Sequence, residues 1–384
     1  MKQTFYRIAA TAFLVTLCSC GLQREKNNKE VQTRSQSASI STDTLSIRYA
    51  KGFRATKYNR YTLIDISDPS GESKETYHYA LIPKGTKAEG IPEDYKVIET
   101  PIERAICMTT LQLSGFLKLG IADRIVGITS TRFVQDSLIN ARLQSGAIKR
   151  IGIEGEFDNE VVIHMNPDVI FISPFKRGGY GTITELGIPT FNYLGYKEPS
   201  PLGQAEWIKL VGLMTGKEEK AAKLFEGIEN RYTAFKKRVE MLSYRPTVLS
   251  GELHGGNWYV VGGESYLANL FRDAGAAYFM YSDKRSGGFF VDYEKVYATG
   301  HAADYWRIVN SYNGTYSYDA LGATDGRYKD FEAYKNRRVI YCNLREKPFY
   351  ERTPMEPDVV LADLIKIFHP KMLPTHQSVY YTLL

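Results

Sequence analysis

Apolar side chains at Ala222, Phe225, Ile228, Tyr232, Phe235, Val239 and Leu242 recur in steps of three or four, the spacing that lines one face of an α-helix. The pattern predicts a helix from Lys217 to Leu242, about 26 residues and roughly 39 Å long at the usual rise per residue. Gly216 suits the end of a shorter helix, Glu206 to Met214, and Tyr244-Arg245-Pro246 stops the long one because proline has no N–H to donate. Strand-rich apolar segments lie on both sides, Ile102 to Tyr193 and Thr247 to Ile367, each the size of a domain. Such a helix either joins two domains or lies along the surface of one. The flanking segments favour a join, with a groove between two halves.

Within the first segment, Ala105 to Thr109 reads as a strand, Leu111, Phe116 and Leu117 as a helical face closed by Gly120, and Arg124 to Ile128 as a second strand. Strand, helix and parallel strand make one crossover unit. Asp158 is an N-cap candidate for a helix that Asn166-Pro167 ends, Asp168 to Ser173 is a buried strand, and Leu186 to Tyr193 runs from a helix end into another. After the long helix the order repeats. Thr247 to Glu252, Trp258 to Val261, Asp304 to Val309 and Val339 to Cys342 read as strands, Tyr266 to Ala274 and Pro357 to Phe368 as helices, Val291 to Glu294 as a helix entry and Ala333 to Asn336 as a helix end. Asn159-Glu160-Val161 leading to Pro167-Asp168-Val169 is echoed by Tyr293-Glu294-Lys295-Val296 leading to Ala303-Asp304-Tyr305. Each copy sets a carboxylate at the exposed start of a helix, where the dipole favours it, and capping alone accounts for both. Tyr61 to Ile66 and Thr76 to Ile82 form a hairpin around Asp68-Pro69-Ser70-Gly71, laid against the first half and without evident chemistry.

The N-terminus changes the compartment. Lys2 and Arg7 precede an apolar run, Ile8 to Leu17, that is too short to span a bilayer, as in a secretory signal. Leu17-Cys18-Ser19-Cys20 resembles a bacterial lipobox, which implies cleavage after residue 19 and a lipid on Cys20; the other reading is a plain cleaved signal. Residues 20–45 are Lys-, Glu-, Asn-, Gln- and Ser-rich and read as a flexible tether. The remaining boundaries are 46–202 for the first lobe with its hairpin, 203–244 for the helical linker and 245–384 for the second lobe. Composition is ordinary for a globular chain, and a net charge of +6 without a long basic run gives little support to nucleic acid as a partner. Twenty-eight tyrosines and 18 phenylalanines suit strands, and equally a surface that grips a flat ligand. Cys107 and Cys342 sit in strand-like runs of different lobes and read as buried thiols. No Cys or His pair has zinc-ligand spacing.

Arg104 to Met108 with Leu119 to Gly127, Glu160 to Ile172, Gly262 to Leu267 and Pro357 to Leu364, in this order around a central helix, resemble the bacterial ABC-transporter substrate-binding proteins for iron-siderophores, haem and cobalamin. The likeness covers roughly residues 95 to 384, and the early hairpin and tyrosine content are similar to the Bacteroidetes lipoprotein version. It implies an α/β fold of two Rossmann-like sandwich lobes joined by one long helix, the class III helical-backbone type, with limited lobe motion. It also implies that Glu160 and Glu294, which match the family's docking glutamates, meet arginines on the permease. The ligand would lie between the lobes. Candidates by loop position are Thr109, Thr110, Arg132, Phe133, Pro174, Phe175, Lys176, Arg177 and Tyr180 from the first lobe and His254, Trp258, Tyr259, Arg285, Arg345, Phe349 and Tyr350 from the second. Arginine suits carboxylate or catecholate oxygens and aromatic rings suit a large flat guest, although each is equally an ordinary loop residue. His254 precedes Gly255-Gly256, where backbone can approach a metal or porphyrin, or else is a plain loop histidine; His164, between Val161 and Met165, reads as structural.

No nucleophile elbow, zinc-protease helix, phosphate loop or dinucleotide glycine pattern occurs, so capture and delivery is the expected role rather than catalysis. The expected cargo is an iron-siderophore, alternatively cobalamin or haem, with an ABC permease and its ATPase as partners. The expected state is a monomer, held to a Gram-negative membrane by its N-terminal lipid and facing the periplasm, with no other covalent cofactor. A carbohydrate-binding or adhesion lipoprotein is the alternative class, and a metal-ion binder of the same fold is disfavoured by the scattered histidines.

Overall fold

The protein is represented by a computed structural model that describes residues 43–129, 134–153, 156–173 and 180–384. The signal segment, Cys20, nearly all of the tether, Arg132, Phe133, Pro174, Phe175, Lys176 and Arg177 lie outside the described residues. Strands β1 (Asp43–Thr44), β2 (Phe53–Lys57), β3 (Thr62–Ser67), β4 (Thr76–Pro83) and β5 (Lys96–Thr100) form one sheet in sequence order. The expected hairpin is present as β3 and β4, with Ile64 opposite Tyr79, but it is the centre of a five-stranded sheet rather than a lone ribbon. Asp43 and Thr44 pair with Lys57 and Thr56, so the last residues assigned to the tether belong to this sheet. Alternation along β3 sends Ile64 and Ile66 inward, and Asp68 holds the following turn by accepting from Ser70 N at 2.9 Å and Ser73 N at 3.1 Å.

The first lobe follows as β6 (Ala105–Cys107), α1 (Thr110–Leu119), β7 (Ile125–Ile128), α2 (Ser137–Gln144), β8 (Lys149–Arg150), the short hairpin β9 (Gly152–Ile153) and β10 (Glu156–Phe157), α3 (Asn159–His164), β11 (Val169–Ile172) and β12 (Thr190–Asn192). Its parallel sheet has the order β12-β11-β6-β7-β8, and the fully buried runs of β7 and β11 are what a sheet covered on both faces requires. Helix α4 (Pro201–Thr215) starts five residues before the expected Glu206, because Ser200 caps it at Gly203 N and Pro201 fits the first turn. Every residue of α4 is buried. Gly216, at φ 67, turns the chain into α5 (Glu218–Glu240), within two residues of the predicted long helix.

Helix α5, roughly 34 Å long, runs from the first sheet, where Lys57 pairs with Glu218, to the second lobe, where Tyr232 Oη donates to Asp273 at 2.8 Å. It is not a free-standing rod. Phe225 is fully buried in an apolar cluster that includes Phe116 and Phe171 of the first lobe and Val248, Ile340 and Leu361 of the second. The halves thus share an interior beneath the helices.

The second lobe contains β13 (Thr247–Ser250), β14 (Leu253–His254), β15 (Asn257–Val261), α6 (Tyr266–Asp273), β16 (Ala277–Tyr278), β17 (Gly288–Asp292), α7 (Tyr293–Gly300), β18 (Tyr305–Asn310), α8 (Tyr318–Thr324), α9 (Glu332–Lys335), β19 (Val339–Asn343), α10 (Phe349–Arg352), α11 (Pro357–Phe368) and β20 (Thr382–Leu383). The main sheet is β16-β13-β18-β19-β20, parallel except for β20, while β14, β15 and β17 make a small antiparallel sheet of their own. The repeat legible in the sequence has a shared bonding pattern. Asp168 Oδ2 accepts from Glu103 N and Arg104 N ahead of β6, and Asp304 Oδ2 accepts from Thr247 N and Oγ1 at the start of β13. Each aspartate fastens the entry of one central strand to its neighbour. The lobes also meet directly, through Lys118–Glu356 at 3.0 Å, Arg352–Asp136 at 2.7 Å and Gln135 N donating to Glu351 at 2.5 Å.

Candidate functional site

A cavity of about 630 Å³ lies between the halves. Tyr196, Lys197 and Glu198, just beyond β12, wall one side together with Ser70 and Glu72 from the β3–β4 turn; Tyr259, Val261, Tyr266, Leu267 and the stretch 286–288 wall the other. Lys197 Nζ lies 2.7 Å from Asp68 Oδ2 and 2.9 Å from Glu72 Oε2, which pins the turn to the first lobe. Burial works against ionisation of Asp68, but Lys197 and the two bonds from Ser70 hold its pKa below the ordinary value. Glu72 also reaches the second lobe, since a side chain added at Gly287 would meet its Oε1 at 2.9 Å. Burial raises the Tyr196 phenol to about 12, keeping it a neutral hydrogen-bond donor in this wall.

Among the residues expected from loop position, Tyr259 lines the cavity and is 42% exposed, and Tyr350, near it, is 39% exposed. Trp258 does not: strand alternation turns it inward, to 0% exposure, where Nε1 donates to Ser250 O at 3.0 Å and the ring packs on Trp306, Tyr328 and Phe331. Phe349 is core as well, against Tyr380 and Tyr381. Tyr180 is buried and serves the loop itself, its hydroxyl bonded to both N and O of Ser173. Thr109 is the N-cap residue of α1, its N–H donating to Gln112 Oε1 at 3.1 Å, and it and Thr110 are half-buried. His254 is exposed on the β14–β15 hairpin, where Gly255 (φ 58) and Gly256 (φ 89) make the tight turn and have open space around them. Those glycines serve a turn, not a close approach. Arg285 is held by both carboxylate oxygens of Asp283 and lies over Phe289, and Arg345 is an exposed loop residue. His164 is exposed rather than structural, because α3 turns Val162, not His164, toward the core.

Three features escaped the sequence reading. The segment 196–198 follows a strand end like the others and was findable by the same rule. Ser70 and Glu72 come from a turn with no visible chemistry until it is folded against the second lobe. The third is Arg307, a lone cation inside the apolar strand β18, and that break in pattern was its signal. Its Nε and Nη2 donate to Tyr381 Oη at 3.0 and 2.7 Å. Glu160 and Glu294 occupy the same place in the two lobes, second residue of α3 and of α7, both exposed and neither in an ion pair among the described residues.

Glu252, just past β13, accepts from Asn310 Nδ2 at 3.1 and 3.2 Å. Burial raises its pKa above the ordinary 4.5, and Asn310, His254 and Arg307 only partly oppose this. A raised carboxyl pKa in the folded state means that ionisation costs stability once pH exceeds the unfolded value. Glu252→Gln is therefore expected to unfold at higher urea than the parent at pH 7.5, with the gap closing by pH 4; a lower midpoint at pH 7.5 would show that the ionised form is favoured in the fold.

Residues 106–345 match the family described as periplasmic binding protein. The chain is 24% identical to the uncharacterized lipoprotein MJ0878 of Methanocaldococcus jannaschii, over 97% of this chain and 95% of that one. Its fold is similar to an ABC-type Fe3+-hydroxamate transport system structure from Saccharomonospora viridis, with TM-score 0.54, 21% identity and coverage of 70% of this chain and 94% of that one. It is similar too to the periplasmic heme-binding protein RhuT from Roseiflexus, with TM-score 0.52, 18% identity and coverage of 68% and 99%. Two parallel-sheeted lobes, a connecting long helix and the sequence match over most of both lobes agree: the chain belongs to the periplasmic binding protein family, in its helix-linked class.

Proposed function

We propose that the chain is the substrate-binding component of an ABC importer, carrying an iron-siderophore complex between its lobes and presenting it to the membrane permease and its ATPase. The observation that carries this reading is the cavity of about 630 Å³ walled by both halves, a size typical of small-molecule sites. A neighbour described as an Fe3+-hydroxamate transport system supports the choice of cargo. Cys20 would hold the lipid that tethers the protein, facing the periplasm. The exposed Glu160 and Glu294, one per lobe, are the docking carboxylates, giving register and steering toward cationic partners rather than large affinity.

Calorimetric titration of the mature protein with a ferric trihydroxamate, haemin and cyanocobalamin tests the cargo. Tryptophan quenching is a poor readout, because Trp207, Trp258 and Trp306 are all fully buried. Binding of haemin or cobalamin alone would keep the importer role and change the cargo, and binding of an oligosaccharide alone would favour adhesion. The double variant Glu160→Ala, Glu294→Ala is expected to bind cargo within about two-fold of the parent, as exposed rim charges do, while uptake by cells falls to background. Loss of binding in that variant would sink the assigned roles.

A further inference from the structure

Arg307 has an unusual environment for a half-buried guanidinium. It sits on β18 between Trp306 and Ile308, and two of its three nitrogens donate to one neutral oxygen, Tyr381 Oη. The guanidinium also lies over the Tyr381 ring at 5.4 Å; its third nitrogen, Nη1, has no hydrogen-bond partner among the described residues and is not one of their solvent-sealed atoms, and no carboxylate there comes within ion-pair distance. By contrast Arg285, Arg327 and Arg352 each hold an aspartate. Partly removing a cation from water without a counter-ion is costly, and an arriving anion at the open Nη1 edge would offset that cost.

Its surroundings point the same way. The guanidinium favours the ionised forms of Tyr266, Tyr350 and Tyr381, against the burial that raises all three phenols, so these hydroxyls lie within its field. Tyr266 lines the cavity between the lobes, and Tyr350 is 39% exposed beside Tyr259, another lining residue. Glu252, the acid that shares this field, is already occupied by Asn310. A planar fork with a free edge, framed by phenol donors, matches a pair of anionic oxygens.

Resting on the importer reading and narrowing it, we infer that Arg307 receives an anionic oxygen pair of the cargo, a carboxylate or a catecholate, at the second-lobe side of the cleft. The cargo is thus an anionic chelate and not a neutral one. The test is titration of the parent, Arg307→Gln and Arg307→Lys with haemin, which carries two carboxylates, a ferric tricatecholate, and two chelates with no carboxylate or catecholate and no net negative charge, ferrioxamine B and cyanocobalamin. The expected result is that the parent binds an anionic chelate, that Arg307→Gln binds it at least ten-fold more weakly, and that added salt weakens the parent more than this variant. Arg307→Lys, which keeps the charge but not the fork, should lose about three-fold or more and retain the salt dependence; it supplies the answer should the glutamine variant not fold. Equal binding of an anionic chelate by parent and variants would overturn the role of Arg307 and leave the importer reading standing. So would a parent that binds only ferrioxamine B or cyanocobalamin. A parent that binds none of the four would overturn both.

Discussion

Glu206→Ala is expected to lower the unfolding free energy by roughly 3–5 kcal/mol, the usual cost of breaking a buried charge pair and orphaning its partners. The side chain is fully buried in α4 and receives the backbone N–H groups of Arg48 at 3.0 Å, Tyr49 at 2.7 Å and Ala50 at 2.9 Å, with Lys209 Nζ at 2.6 Å. Glu198 continues the arrangement, accepting from Lys51 N and Gly52 N while Trp207 Nε1 donates to it at 3.0 Å. Together they seize an irregular stretch whose amides have no ladder of their own. Alanine at 206 leaves three amides without an acceptor and the buried Lys209 ammonium without its counter-ion, with only Ser46 O at 2.8 Å to receive it. Glu206→Gln keeps one oxygen and should lose less, roughly 1–3 kcal/mol. Urea midpoints measure both, and limited proteolysis should find a new cut near Arg48 in the alanine variant. A midpoint within about 1 kcal/mol of the parent would mean that the stretch is held by something else.

The second large effect separates two adjacent residues. Trp258→Ala should destabilise by roughly 3–5 kcal/mol, since a fully buried indole at the centre of four aromatic side chains leaves a void that cannot close. Tyr259→Ala removes a ring that already faces the cavity, so its stability should stay within about 1 kcal/mol of the parent while cargo binding weakens. Thermal or urea unfolding with calorimetric binding on both variants gives the comparison. Should Trp258→Ala remain as stable as the parent and lose binding instead, the inward placement of that ring would be wrong.

These two cases show what could be read from the chain and what could not. Elements with strong local pattern were legible: α11 spans Pro357–Phe368 as predicted and α5 differs by one or two residues at each end, because capping, proline and apolar spacing are all local. The lobes' repeat was legible for the same reason. Glu206 was not, because its backbone partners lie 156 to 158 residues away and its one near partner, Lys209, reads as an ordinary i,i+3 helix pair. Trp258 and Tyr259 were both proposed for the cleft because loop position cannot decide facing; the pairing of β15 with β17, Trp258 opposite Val291, decides it. Phe349 failed likewise, drawn into the core by Tyr380 and Tyr381 from the chain's far end.

The family match spans residues 106–345, whereas the turn that lends Ser70 and Glu72 to the cavity wall belongs to the sheet before it. One rim of the cavity is therefore built on a sheet outside the residues that match the family, set against the two-lobed frame. Under the importer reading, diversifying those few turn positions should shift cargo preference while leaving the two-lobed frame and the exposed Glu160 and Glu294 untouched.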